Sequence, residues 1–395
     1  MSNRLDQIEG LFPPLLQKYA GLAGRAKISL AVGQPEMPPP PEIVEVVREF
    51  SLNPVHARYT PAGGRSDLLV EVAAHFATLG FADKNPDNFL VSHGAKLLID
   101  VALRALGNPG DRVIWFGPGY TYGRTAQLNG FESVIIRCLP PDFNPDLEVL
   151  ESQLLAAEAA HKSAVVIINN PVNPTGRVWG SDVLDALADI LSCHGVSVIA
   201  DETYAGLAYT PEALAAQPFA LNSKLNESSV VTIRSGSKGM CIPGYRLGLA
   251  HGPQRIISAM RSILGDCVGC PNTLTQEVAY RTLSQYSEFC QRQLEPLKEK
   301  RQLVTNWCLQ HNLQVAPMDG AFYAFVNFAP LPGHLQLDNS CALADLFLEK
   351  LGVGVIPGCA FGERLTDFSQ WVRISYAGPR VDLQEGLKHI SELFD

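Results

Sequence analysis

The sequence predicts an α/β protein with a mostly parallel central sheet in a large domain and a second, smaller α+β domain. The chain has 395 residues, which is long enough for two domains. From about Arg65, short apolar runs alternate with segments of helical periodicity, as they do when crossover helices connect parallel strands. The composition, 46% hydrophobic and 18% charged, is typical of a globular protein.

The apolar runs predict the strands of the central sheet. They are rich in β-branched residues and contain almost no polar positions, as expected when helices cover both faces of a sheet. Five runs have this character: 113–116, 134–136, 165–168, 196–200 and 230–233.

Helical periodicity predicts two of the connecting helices. Residues 94–106 place their leucines, valine and alanines on one side, and residues 181–194 show the same spacing of apolar side chains. We expect Ser181 to cap the start of the second helix and Gly195 to end it in the left-handed conformation.

The smaller domain is predicted from the last third of the chain. A long charged helix over 288–311 leads into apolar runs at 321–326, 353–356 and 371–374, which predict further strands. We expect the large domain to span residues 46–285. The small domain should combine residues 1–45 with 286–395.

Charge, the N-terminal sequence and the cysteines argue against several classes of partner. A net charge of −9 argues against a nucleic-acid partner. The N-terminus lacks the pattern of a signal peptide, and no apolar run approaches the roughly 18 residues of a membrane span. We therefore expect a cytoplasmic protein without a membrane partner. The nine cysteines are scattered along the chain, and we expect them to be reduced thiols. Cys267 and Cys270 form a single C-x-x-C without a second pair, so we assign no metal site to them.

Polar residues follow three of the predicted strands at the points where those strands end. Asn170 and Asn173 follow one run, Asp201 follows the next, and Ser235 and Lys238 follow a third. Ligands of open α/β sheets bind outside the carboxyl ends of the strands. The sequence therefore predicts a binding site at this edge of the sheet.

The motifs and their order resemble those of the class I/II aminotransferases, which are pyridoxal-phosphate enzymes of fold type I. The resemblance runs from about Ile28 to Arg373. It rests on Gly33-Gln34-Pro35, Tyr59-Thr60-Pro61-Ala62-Gly63-Gly64, Gly94-Ala95-Lys96, Pro118-Gly119-Tyr120, Asn170-Pro171-Val172-Asn173-Pro174-Thr175-Gly176, Asp201-Glu202-Thr203-Tyr204, Ser235-Gly236-Ser237-Lys238 with Arg246, and Arg373.

The resemblance implies that Lys238 forms a Schiff base with the aldehyde of pyridoxal 5'-phosphate. A lysine suits this role because desolvation and nearby cations lower its pKa and free the amine. Asp201 is implied to pair with the pyridine nitrogen, so that the ring accepts electrons effectively. Tyr204 and Asn173 are implied to donate to the phenolic oxygen of the ring.

The resemblance also implies a phosphate site. Ser235 and Arg246 match phosphate ligands of the family. The backbone N–H groups of Ala95 and Lys96 open the helix that follows Gly94, where the helix dipole favours an anion.

The remaining cofactor positions have counterparts in the same family. Ser237 belongs to the cofactor-binding set, and Tyr120 matches the aromatic side chain that stacks on the ring. Tyr59 matches a tyrosine that reaches the phosphate of the neighbouring subunit. That role implies a homodimer with shared active sites.

The family resemblance places the substrate at Arg373. A guanidinium there would grip the α-carboxylate of an amino acid in a bidentate pair and so fix its orientation. Gly33 is implied to direct a backbone N–H at the same carboxylate, and Asn173 is implied to contribute as well.

The implied activity is ping-pong transfer of an amino group from an L-amino acid to a 2-oxo acid. The alternative is another pyridoxal-phosphate reaction on the same scaffold: a β-lyase, a cyclising synthase, a decarboxylase or an oxidase. A nicotinamide oxidoreductase is a more distant alternative, suggested by the glycine-rich loop 117–123. Pro118 and two tyrosines crowd that loop, and no amphipathic helix is evident after it.

Overall fold

The computed structural model describes residues 4–11, 13–53, 58–215, 218–225, 230–332 and 337–394. The strands are β1 (Ile28–Ser29), β2 (Phe89–His93), β3 (Arg112–Gly117), β4 (Glu132–Arg137), β5 (Ala164–Asn169), β6 (Ser197–Asp201), β7 (Val230–Ser235), β8 (Leu247–His251), β9 (Gln314–Val315), β10 (Tyr323–Asn327), β11 (Val353–Gly354), β12 (Ile356–Pro357) and β13 (Trp371–Ser375).

The helices alternate with these strands. They are α1 (Arg4–Glu9), α2 (Leu15–Ala23), α3 (Pro41–Ser51), α4 (Ser66–Ala77), α5 (Ala95–Leu106), α6 (Tyr122–Leu128), α7 (Leu147–Ala159), α8 (Ser181–Cys193), α9 (Pro211–Ala215), α10 (Gly236–Gly239), α11 (Gln254–Val268), α12 (Thr273–Thr282), α13 (Tyr286–Gln310), α14 (Ser340–Leu351) and α15 (Arg380–Ser391).

The described residues form a seven-stranded sheet in the order β2-β8-β7-β6-β5-β3-β4. The strands from β4 to β7 pair in parallel, whereas β8 runs antiparallel to both β2 and β7. Apolar clusters cover both faces, and every residue of β5 is buried. The predicted mostly parallel central sheet is confirmed, and each of the five predicted runs lies on one of its strands.

Sequence reasoning missed β2 and β8, and β8 matters for the site. A Cβ built at Gly248 in β8 would lie 2.5–2.9 Å from backbone atoms of Gly94 and Ala95. Only glycine at this position lets the N-terminus of α5 begin so close to the sheet.

The predicted N-cap of α8 is wrong, whereas the glycine predicted to follow its C-terminus is confirmed. Ser181 is the first helical residue and the capping position is Gly180, which has no side chain to accept a hydrogen bond. Because Ser181 already has helical geometry, its hydroxyl does not cap the helix. Gly195 does follow the helix with a φ of +59°, as predicted.

The C-terminal part of the chain builds a separate antiparallel sheet in the order β12-β13-β10-β9. The long charged helix predicted there is α13. The run at 353–356, predicted as one strand, is divided between two sheets. Its first half, β11, pairs in parallel with β1, while β12 pairs with β13. This division joins the N-terminal segment to the C-terminal part of the chain.

A search of the described helices found none with both the length and the apolar character needed to cross a bilayer.

Candidate active site

A cavity of about 150 Å³ lies at the carboxyl ends of β5, β6 and β7. Most of the residues singled out from the sequence meet there, because parallel strands present their ends at one edge. The cavity is lined by Ala95, Lys96, Ile99, Tyr120, Tyr122, Asn169, Asn173, Asp201, Thr203, Tyr204, Ser235, Ser237, Lys238, Pro243 and Arg246.

One end of the cavity is built to receive an anion. Gly94 has a φ of +86°, which turns the chain so that α5 begins at Ala95. A Cβ at Gly94 would collide with the guanidinium of Arg246, so this side chain lies directly over the helix N-terminus. The hydroxyl of Ser235 is also on the cavity wall; it accepts a hydrogen bond from the N–H of Ser237 and donates one to the carbonyl of Leu247, both at 3.1 Å. Hydroxyls, a guanidinium and helix N–H groups are the donors that phosphate prefers.

Asp201 ends β6, is buried and lines the same cavity. Its Oδ1 accepts hydrogen bonds from the N–H and the hydroxyl of Thr203, at 3.1 and 2.6 Å. The hydroxyl of Tyr122 donates to Oδ2 at 2.6 Å. Burial raises the pKa of Asp201, and these hydrogen bonds oppose that shift.

Lys238 lies in α10 and lines the same cavity. Its ammonium donates a hydrogen bond to the carbonyl of Gly33. The predicted contact of the Gly33 N–H with a substrate carboxylate stays a prediction. Burial lowers the pKa of Lys238 to about 8, and the cations of Arg373 and Arg246 contribute to the shift. The amine is therefore easier to deprotonate than an ordinary lysine, as a nucleophile requires.

Arg373 is held on β13 beside the cavity rather than in its lining. Its guanidinium donates to the carbonyl of Ala31 at 2.6 Å and to Oδ1 of Asn173 at 3.0 Å. It stacks over the ring of Tyr323, with 4.3 Å between Cζ and the ring centroid, and lies 5.2 Å from the centroid of Phe361. Its buried Nε has no partner among the described residues. A carboxylate supplies the kind of acceptor that this donor lacks.

Sequence reasoning missed four residues of the site: Asn169, Tyr122, Thr203 and Tyr323. Tyr122 follows Tyr120 by two residues in the loop dismissed as crowded, and a short helix, α6, does begin there. Thr203 lies inside a quoted motif. The hydroxyl of Tyr323 is 2.7 Å from that of Tyr204, although its sequence signal is only an apolar strand.

Tyr59 does not belong to the cavity in this chain. Its side chain is 95% exposed, and it is absent from the cavity lining among the described residues.

The donor set fits pyridoxal phosphate. The donors around Gly94 suit the phosphate, the buried carboxylate of Asp201 suits a protonated pyridine nitrogen, and the amine of Lys238 in the same cavity suits the aldehyde. An α/β fold with such a site defines a pyridoxal-phosphate-dependent enzyme.

Comparison with known proteins gives the family. The family model for aminotransferase class I and II matches residues 25–390, and the chain belongs to this family. The chain is 30% identical over 388 residues to the bifunctional aspartate aminotransferase and glutamate/aspartate-prephenate aminotransferase of Petunia hybrida, covering 94% of this chain and 77% of that protein. It is 27% identical to the aspartate aminotransferase of Thermotoga maritima, covering 94% and 92% of the two chains.

Solved structures share the fold over the full length. The aspartate aminotransferase of Thermus thermophilus with maleate superposes with a TM-score of 0.87 at 24% identity, covering 100% of both chains. The N-succinyldiaminopimelate aminotransferase of Mycobacterium tuberculosis gives 0.88 at 24% identity, again covering 100% of both chains. The predicted family and fold type are confirmed.

Membership of this family also confirms the cofactor and the reaction type. The protein is a pyridoxal-phosphate-dependent aminotransferase that moves an amino group from an L-amino acid to a 2-oxo acid. The nicotinamide alternative is set aside by the family match. The other pyridoxal-phosphate reactions receive no support from these relatives.

Proposed function

We propose that the cavity at the ends of β5, β6 and β7 carries out this transfer, with Lys238 as the group that moves the proton. The observation that carries the proposal is that the amine of Lys238 lines one cavity together with the buried carboxylate of Asp201 and the guanidinium of Arg246, and that nearby cations lower its pKa. When bound, pyridoxal phosphate supplies an aldehyde for amines and a ring that accepts the electron pair of the substrate α-carbon. Lys238 Nζ takes the α-proton and later returns it.

Arg373 is proposed to bind the substrate α-carboxylate. Its guanidinium is oriented on both sides, by the carbonyl of Ala31 and the amide of Asn173, and it is stacked on Tyr323. Its Nε has no hydrogen-bond acceptor among the described residues, and a substrate carboxylate would supply one. A charge-assisted hydrogen bond contributes about 1.5–3 kcal/mol, and the fixed plane of the guanidinium sets the orientation of the α-carbon.

Asp201, Tyr204 and Asn173 are proposed to hold the cofactor ring, with Tyr120 against its face. The two hydroxyl donors on Asp201, from Thr203 and Tyr122, stabilise its ionised form despite burial.

The cofactor phosphate is proposed to lie in the cradle over Gly94. Its donors are the N–H groups of Ala95 and Lys96, the hydroxyls of Ser235 and Ser237, and the guanidinium of Arg246.

Three broader features complete the proposal. A homodimer would cover the exposed Tyr59 and bring it to the partner's phosphate, as the family resemblance implies. A cytoplasmic location agrees with nine cysteines that are all free thiols. The division into residues 46–285 and residues 1–45 with 286–395 is supported by the separate sheets and by the pairing of β1 with β11.

The test is a single half-reaction with the purified holoenzyme and a panel of L-amino acids, beginning with aspartate because relatives carry that name. The wild type should release a 2-oxo acid in equal amount to the pyridoxamine phosphate formed. Lys238→Ala should retain cofactor without turnover, and Lys298→Ala, a change at a partly exposed lysine of α13, should behave as the wild type. Release of ammonia would favour the alternative reactions, and turnover by Lys238→Ala would remove Lys238 from its role.

A further inference from the structure

Two cysteines of the C-terminal part of the chain are in direct contact. Cys341 is the second residue of α14, and Cys359 lies in the 3-10 helix Gly358–Phe361 that follows β12. Their sulfur atoms are 3.2 Å apart. This distance is shorter than an ordinary contact between thiols in separate elements, so a small movement brings the sulfurs to bonding distance.

The two elements that carry the thiols are already held together. The hydroxyl of Ser340 accepts a hydrogen bond from the backbone N–H of Cys359 at 3.0 Å. The hydroxyl of Tyr19 donates to the carbonyl of Cys341 at 3.3 Å. The Ser340 contact joins the two elements directly, and the two side chains already meet in the reduced protein.

The two sulfurs differ in access and in acidity. Cys341 is partly exposed, whereas Cys359 is completely buried. The hydrogen bond with Cys359 lowers the pKa of Cys341, and its position in the first turn of α14 also favours the thiolate. Cys341 is thus the thiol that an external oxidant reaches first, and Cys359 is placed to react with it next.

We propose that Cys341 and Cys359 form an oxidation site, in which hydrogen peroxide converts the two thiols into a disulfide that alters binding of the substrate carboxylate at Arg373. The Cys341 thiolate attacks one peroxide oxygen, the O–O bond breaks, and the departing oxygen leaves as water after taking a proton, which gives a sulfenic acid. Cys359 then attacks the Cys341 sulfur. The S–S bond forms, the S–O bond breaks, and a second water carries away the Cys359 proton. Two thiols lose two electrons in total, and one peroxide is reduced to water.

The disulfide would act on the substrate site through Phe361. This residue ends the 3-10 helix that contains Cys359, and its ring lies 5.2 Å from the guanidinium carbon of Arg373. Its carbonyl also accepts a hydrogen bond from the N–H of Gly119, next to Tyr120, at 3.0 Å. Closing the sulfur gap pulls on this short helix and shifts the ring that packs against the guanidinium.

The first experiment maps the cross-link. Reduced holoenzyme is treated with hydrogen peroxide and digested without reductant, and the peptides are identified by mass. We expect a peptide joining Cys341 to Cys359, which dithiothreitol separates again. Cys193→Ser removes an exposed cysteine and should leave the cross-link in place. Absence of the joined peptide, or oxidation of Cys341 to a sulfinic acid alone, would overturn the site, and this result needs no variant to fold.

The second experiment measures KM for the amino donor before and after peroxide. The effect on KM rests on the proposed role of Arg373, whereas the cross-link does not, so the two parts fail separately. Oxidised wild type should show KM raised by about tenfold, as expected when one charge-assisted hydrogen bond is misaligned. Dithiothreitol should reverse the change, and Cys341→Ser and Cys359→Ser should not show it. A mapped cross-link with unchanged KM would overturn the link to Arg373.

Discussion

The contact between Gly94 and Arg246 gives a sharp prediction for Gly94→Ala. The residue has φ +86° and ψ +161°, a region that is essentially restricted to glycine. Forcing a side chain into such a conformation costs about 1–3 kcal/mol. The new Cβ would also displace the Arg246 guanidinium that lies against Gly94. The change therefore strains the backbone and disturbs the phosphate cradle together.

The loss of cofactor affinity in Gly94→Ala can be calculated from the displacement of Arg246. Arg246 is exposed and is proposed to donate charge-assisted hydrogen bonds to the phosphate, each contributing about 1.5–3 kcal/mol. Losing one such bond raises the dissociation constant of pyridoxal phosphate by about ten- to 150-fold. The assay is titration of apoenzyme with the cofactor, followed by quenching of protein fluorescence, with urea denaturation of the same variants.

Gly110→Ala is the matched control. Gly110 also has a positive φ, +96°, but a Cβ there meets no described atom within 4 Å. It should lose stability while binding the cofactor as the wild type does. In an Arg246→Ala background, Gly94→Ala should cause little further loss of affinity, because the two changes remove the same interaction. Equal affinity in Gly94→Ala and Gly110→Ala, or full additivity with Arg246→Ala, would refute the reasoning.

Three further predictions concern other groups of the site. Because the pKa of Lys238 is lowered to about 8, the rate of covalent cofactor attachment to apoenzyme should rise about tenfold per pH unit below that value and level off above it. A rate that climbs steadily to pH 10, followed by absorbance, would contradict this. Tyr122→Phe removes a donor to Asp201 and destabilises its anion by about 1.5–3 kcal/mol, so the cofactor should bind at least about tenfold more weakly in the same fluorescence titration. Arg373→Lys should raise KM for the amino donor by about tenfold or more, since lysine cannot form the bidentate pair, whereas Arg380→Lys at an exposed ion pair should not change steady-state kinetics.

The central strands could be predicted because their signal is local. A strand covered on both faces is mostly apolar, and the runs at 165–168 and 230–233 show this, with Thr232 the one polar residue among them. The grouping of polar residues at one sheet edge followed from the same topology. The sequence of β8 gave a weaker signal because it contains Gly248, which has a low strand propensity. This glycine is needed for the close approach of α5.

The details of the site depend on contacts between distant parts of the chain. Tyr122 reaches Asp201 across 79 positions, and Tyr323 reaches Tyr204 across 119. A tyrosine in an apolar run gives no sign of such a partner. The split of residues 353–356 between two sheets likewise depends on β1, which pairs with β11 from the other end of the chain.

The segment 31–33 near the N-terminus accepts hydrogen bonds from both Arg373 and Lys238. The carbonyl of Ala31 accepts from Arg373, and the carbonyl of Gly33, two residues later, accepts from Lys238. The segment cannot shift without disturbing both hydrogen bonds. The proposed binding of substrate by Arg373 and the proposed proton transfer by Lys238 therefore depend on the same segment, and a variant that starts beyond Gly33 would lose both restraints.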